Sequence, residues 1–143
     1  MSTTLAPQPT GTRALGRSAA AITAALVANA GLSLATDQLL HVLDVYPPWG
    51  QPMHEPGLNL LALAYRTAYG VAAGVVVARL APRAPMRHAA ILGVIGLALA
   101  TLGAVAAITQ YDLGPDWYPV ALAATALPTV MLGAAWHGRR RRP

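Results

Sequence analysis

Cysteine, lysine and phenylalanine are all absent from this chain. Without cysteine there can be no disulfide, no thiolate metal site and no haem attachment through a CxxC pair. Charge is also scarce: 10% of the 143 residues are Asp, Glu, Lys or Arg, while 55% are hydrophobic. Soluble domains carry about 25% charge, so this composition excludes one and indicates a membrane protein. The net charge of +5 would suit nucleic acid, but the basic residues flank apolar runs rather than lining a groove with interleaved aromatics. Nucleic acid is therefore not an expected partner. With no lysine, all ten basic residues are arginines, and the heavy use of Ala and Arg resembles the output of a GC-rich bacterial genome.

Apolar runs of about 20 residues, the length a bilayer requires, occur four times: about 19–43, 58–78, 89–108 and 119–136. The expected fold is all-α, a polytopic four-transmembrane-helix antiparallel bundle covering residues 17–138. Residues 1–16, rich in Thr, Pro, Ala and Gly, are expected to form a disordered cytoplasmic tail, and residues 139–143 a basic cytoplasmic tail. Arg13 and Arg17 precede span one, Arg79, Arg83 and Arg87 join spans two and three, and Arg139, Arg140, Arg141 and Arg142 follow span four. The loops on the opposite face hold Asp44, Glu55, Asp112 and Asp116 and no arginine. Short loops rich in Lys/Arg stay in the cytoplasm, so both termini are expected there, with the protein in a bacterial inner membrane. Trp49 and Trp117 at the outer ends, and Trp136 at the inner end, are expected to anchor the interfaces.

Arg13, Arg17, the apolar Ala19–Val27 and the triplet Ala28-Asn29-Ala30 imitate a cleavable secretory signal. Hydrophobicity nevertheless continues to Leu43, which favours an uncleaved span. The outer loops share a pattern, Asp44-Val-Tyr-Pro47-Pro-Trp49 and Asp112-Leu-Gly-Pro115-Asp-Trp117. Two helical hairpins related as a parallel repeat would explain it. So would the separate tendencies of Pro to stop a span and Trp to anchor one.

The tenth arginine, Arg66, lies inside span two, where a charge is costly and is usually kept for a reason. Span one carries Asn29, Ser33, Asp37, His41 and Asp44 at steps of four, four, four and three, which places them on one helical face turned toward the bundle interior. Asp37 is about 9 Å and Arg66 about 12 Å inside the outer ends of their spans at helical rise. The two are expected to form an ion pair with His41 close by and Tyr69 within reach. Either the pair locks two helices together, or it belongs to a ligand or proton site.

A metal bound by His41, Asp44 and His54, with Asp37 and Glu55 nearby, is a third possibility, but the spacing matches no ligand signature. No metal or cofactor is expected. Nucleophilic catalysis lacks support, since Ser33 and His41 are two helical turns apart. Gly70, Gly74 and Ala78 form a small-residue face on span two, as do Gly96, Ala100 and Ala104 on span three, suited to a tight bundle or a homodimer. So many small residues and no Phe predict close packing with little room for a large cavity. Pro128 is expected to kink span four. His88 and His137 border the arginine clusters at headgroup level.

The stretches YPPWGQPM (Tyr46–Met53), LAYR ending at Arg66, APRAPMRHA (Ala81–Ala89) and DLGPDWYP (Asp112–Pro119) resemble small bacterial four-span membrane proteins. The likeness covers most of the chain beyond Gly31 and implies a fold and a location, with no activity attached. Small multidrug exporters of similar size carry a central Glu in their first span, and Asp37 near the outer end departs from that pattern. Three functions are thus expected in order: a structural or accessory protein binding membrane lipid or another membrane protein; a small transporter or ligand-binding protein using Asp37, His41 and Arg66; and, well behind, a metal-dependent enzyme.

Overall fold

A computed structural model describes residues 11–140, which form four helices and no strand: α1 (Gly11–Val42), α2 (Pro56–Leu80), α3 (Pro85–Gln110) and α4 (Trp117–Arg140). Each is long and apolar enough to cross a membrane, so the chain is a multi-pass membrane protein built as a four-helix bundle. Every helix extends beyond its apolar run, because the run marks the hydrocarbon while backbone bonding continues into the headgroup zone. The difference is largest at α1, which begins at Gly11, so residues 11–16 of the expected tail are helical. Residues 1–10 and 141–143 lie outside the described residues. Prolines start α2 and α3, where a missing N–H costs nothing. Ala84, ahead of α3, sits in the left-handed region at φ 45°. Pro128 is accommodated on an exposed face of α4, which runs unbroken through it.

The strongest packing is between α2 and α4, which run in the same direction, and between α3 and α4. The α2–α4 crossing is reciprocal. A Cβ on Gly74 would intrude on the Val130 carbonyl and lie 2.9 Å from its carbon, while one on Gly133 would intrude on the Val71 carbonyl and lie 2.9 Å from that carbon. Each glycine thus meets the residue three positions before the other. One turn toward the loops, a Cβ on Gly70 would lie 2.5 Å from Thr129 Oγ1. Gly70 and Gly74 therefore form the contact face expected of them, with Thr129 and Gly133 as the opposing surface. On α3 the close approach is at Gly93, against Leu127, whereas Gly96 only reaches ordinary contact with Ala126 and Ala100 is half-buried.

α1 rests on α2 and more lightly on α3, and among the described residues its backbone does not approach that of α4 closely. Its inward face is Ala21, Ala25, Ser33 and Asp37, with Asn29 half-buried between them. The apolar core draws on all four helices, through Ala21, Ala25, Ala73, Val77, Ala78, Ala89, Leu92, Val130 and Ala134. All of these lie in the half of the bundle nearest the arginine-bearing ends. The loop half is packed differently. Two half-open pockets of about 300 and 370 Å³ lie there, the larger reaching down to Leu92 and Val130 of the core. Small side chains bring helices together only where backbones touch, and between α1 and α4 they leave a gap instead.

Candidate functional site

The cavities share two lining residues, Asp37 and Arg66. Asp37, on the inward face of α1, accepts on Oδ2 from an Arg66 terminal nitrogen and on Oδ1 from the Tyr65 hydroxyl. Both acceptors of α1 are thus supplied by consecutive residues of α2. The Arg66 guanidinium also lies 5.9 Å from the Tyr65 ring centroid. In the Asp37–Arg66 pair the carboxylate is the enclosed partner, with 8% of its side-chain surface accessible against 28% for Arg66.

Toward the loops, Tyr46 is buried, its one hydroxyl proton within reach of the Tyr65 hydroxyl at 3.4 Å and the Leu58 carbonyl at 3.5 Å. A chain of hydroxyls thus leads from the loop to Asp37. Burial pushes the Tyr46 hydroxyl above the ordinary phenol range; the Asp37 charge acts in the same direction, while its bond to Tyr65 and the Arg66 charge only partly oppose it. Trp49 folds back over α1, stacking on His41 at a centroid distance of 3.9 Å and donating to Gln38 Oε1 at 3.3 Å. His41 also meets the edge of Tyr46 at 5.5 Å.

The loop carrying Tyr46 and Trp49 is held to the second loop by a backbone bond from Met53 N–H to the Leu113 carbonyl, 2.8 Å. Gly114 permits this, since a Cβ there would lie 2.6 Å from the Met53 carbonyl oxygen. Asn59, buried at the start of α2, donates to the Met53 and Glu55 carbonyls at 2.8 and 3.0 Å and fixes the same loop from below. The smaller cavity lies under these loops, lined by Asp37, His41, Tyr46, Arg66, Ile108 and Tyr118 among others. The larger lies deeper, lined by Asn29, Ser33, Thr67 and Thr125 among others, and ends on core residues Leu92 and Val130. Among the described residues, three buried polar atoms of residues that line these pockets have no hydrogen-bond partner: Asn29 Oδ1, His41 Nδ1 and Arg66 Nε.

Of the residues expected at the site, Asp37 and Arg66 meet directly, His41, Ser33 and Asn29 line the same cavities, and Tyr69 does not join them. Its hydroxyl instead shares a 2.8 Å hydrogen bond with Thr36 Oγ1. Tyr65, not Tyr69, reaches Asp37, and sequence reasoning missed it along with Tyr46, Asn59 and Tyr118. Tyr69, three residues beyond Arg66, shares its helical face; Tyr65 is its chain neighbour and reaches Asp37 by the length of its ring. Asp44 and His54 are exposed, and no three metal-ligating side chains gather among the described residues. Asp44 instead closes α1, with a left-handed φ of 54° and its N–H on the His41 carbonyl at 3.2 Å. The two Pro-Trp loops differ in form, since Trp49 lies inside a loop while Trp117 is the first residue of α4, edge-on to Tyr118 at 6.1 Å. At the far end Arg140 stacks over Trp136 at 4.6 Å.

Comparison of the chain with known protein families, curated proteins and solved structures finds no match in any of the three.

Proposed function

We propose that this protein binds a small ligand within the bilayer, in the cavity beneath its loops, and that Arg66 is the principal contact. The observation that carries this reading is the position of the Asp37–Arg66 pair between two cavities, with Asn29 Oδ1, His41 Nδ1 and Arg66 Nε unpartnered around it. A pair that only joined two helices would be packed on all sides, and its buried neighbours would be satisfied. Cavities lined by apolar walls with a few convergent polar groups are the usual form of a ligand site, and about 300 Å³ lies at the small end of their range. Placement in a bacterial inner membrane, with both termini cytoplasmic and the ligand reached from outside, completes the proposal. It is supported by the arginine distribution.

A second reading, an accessory protein seated against another membrane protein, a second copy of itself or lipid, draws on α1. Among the described residues that helix packs closely only on α2 and α3, and the Gly31 face of α1 has nothing within 4 Å. The basic run Arg139–Arg142 would add attraction to anionic headgroups of about 1 kcal/mol per residue. Native mass spectrometry of the protein released from lipid nanodiscs separates the two. A small molecule retained by the wild type and lost from Arg66→Gln supports ligand binding; a bare chain that co-elutes with another membrane protein rejects it in favour of the accessory role.

A further inference from the structure

We infer that the ligand is a small organic anion, a single carboxylate carried on a compact apolar body, and that it competes with Asp37 for Arg66. The inference rests on the ligand-binding reading above and adds the sign and shape of what binds. Sign follows from the unequal enclosure of the pair. Both Asp37 oxygens are already engaged, by Tyr65 and by Arg66, and its side chain is 8% accessible. A cation would have to displace two donors to reach it. Arg66 is 28% accessible, lines both cavities and has an unpartnered Nε. The accessible part of its side chain, rather than the buried Nε, is what borders the space where a ligand sits.

A guanidinium presents its donors in a planar fork that matches a carboxylate, so a ligand carboxylate can replace that of Asp37 on the same edge. If the ligand takes the edge now used by Asp37, that carboxylate keeps the Tyr65 hydroxyl as a partner. Asp116, the other acid in the lining, is exposed at the rim and solvated, so it does not cancel the cation inside.

Shape follows from the walls. Apart from the polar cluster the cavity is bounded by Tyr46, Trp49, Ile108 and Leu113, with prolines above. Such walls suit a ring or a short branched chain and give a multiply charged inorganic anion nothing to replace its hydration. The volume of about 300 Å³ accommodates such a body.

The test uses the full chain in lipid nanodiscs, titrated calorimetrically with benzoate, octanoate, benzamide and benzylammonium. Benzoate binding ahead of the other three is the expected result. Arg66→Gln should lose on the order of tenfold to a hundredfold in benzoate affinity, the range of one charge-assisted hydrogen bond. Because either variant of the pair can misfold, binding is read only on samples that keep the wild-type far-UV circular dichroism, and there Asp37→Asn, which removes the competitor, should bind benzoate more tightly than wild type. Equal weakening by Asp37→Asn and Arg66→Gln overturns the competition with Asp37. Benzylammonium or benzamide binding while benzoate stays silent overturns the anion and leaves the cavity a ligand site. Preference for octanoate transfers the site to fatty acids and overturns the compact body. Silence of all four removes the anion and the ligand-binding reading together.

Discussion

Alanine at Gly74 should pry α2 from α4. The new methyl would lie 2.9 Å from the Val130 carbonyl carbon and 3.1 Å from the Ala134 nitrogen, in addition to intruding on the Val130 oxygen. Carbon–carbon contacts settle at about 3.5 Å or more, so the helices must part by at least roughly 0.6 Å. All three obstructing atoms are backbone, and no side-chain rotation relieves them. Overpacking of this kind costs about 1–3 kcal/mol, with the upper end apt for backbone obstruction, while replacing glycine in a helix returns up to about 1 kcal/mol. The net expectation is a loss of about 2 kcal/mol.

Gly103, also helical but with nothing within 4 Å, supplies the control: Gly103→Ala should be neutral or stabilising by up to about 1 kcal/mol. Unfolding in mixed micelles by increasing dodecyl sulfate, followed by far-UV circular dichroism, reads the difference. Gly133→Ala should match Gly74→Ala, since it meets the Val71 carbonyl in the mirrored arrangement. The double variant should cost less than the sum, because one separation of the helices relieves both clashes. Equal stability of Gly74→Ala and Gly103→Ala would refute the reciprocal crossing.

Removing one partner of the central pair, by Asp37→Asn or Arg66→Gln, should lower stability by about 2–3 kcal/mol, less than for a fully enclosed pair because Arg66 retains 28% accessibility. Most of this should return in the double variant, as measured by the same unfolding titration. Tyr69→Phe should cost about 1 kcal/mol by deleting the bond to Thr36, and should leave ligand binding unchanged. The raised Tyr46 hydroxyl makes a pH-dependent contribution: it is fully present below the unfolded phenol value of 10.0 and fades as pH rises through the higher folded value. Tyr46→Phe should therefore lose less stability than wild type between neutral and strongly alkaline pH, and parallel curves would contradict the assignment. The absence of native cysteine makes topology simple to test. A membrane-impermeant maleimide should label Gln51→Cys on intact cells and Gly138→Cys only after lysis, and the reverse pattern would invert the proposed orientation.

Much of the architecture could be read before any coordinates, for physical reasons specific to a bilayer. Hydrocarbon thickness fixes span length, and the number of helices follows from counting apolar runs. Asp37 and Arg66 could be placed at matching depth because helical rise is constant. What could not be read is which helix lies beside which. Nothing in the one-dimensional pattern separates an α2–α4 crossing from an α1–α4 contact, so the role of Gly133 and the cavity left beside α1 escaped notice. The Tyr65–Tyr69 choice failed for a related reason. A helical wheel ranks residues by direction, whereas a long aromatic side chain reaches its partner by length. Helix ends failed at α1 because polar residues such as Thr12 and Arg13 continue a helix without extending the apolar run.

Among the described residues, the side-chain partners of Asp37 all come from α2, which has a consequence for biogenesis. α1 leaves the ribosome before α2, bearing an acid that disfavours insertion of an isolated span, by roughly 2.5–3.5 kcal/mol at a helix centre and by less at the depth of Asp37. Its two donors, Tyr65 and Arg66, arrive 28 and 29 residues later, on the next helix to be made. Among the described residues neither charge has an ion-pair partner on α3 or α4. The first hairpin is accordingly the unit that partitions into the membrane, each span making the other admissible, while the apolar α3 can enter by itself. Synthesis order and charge pairing thus agree, and a chain truncated after α1 would retain an unmatched acid where the intact hairpin has none.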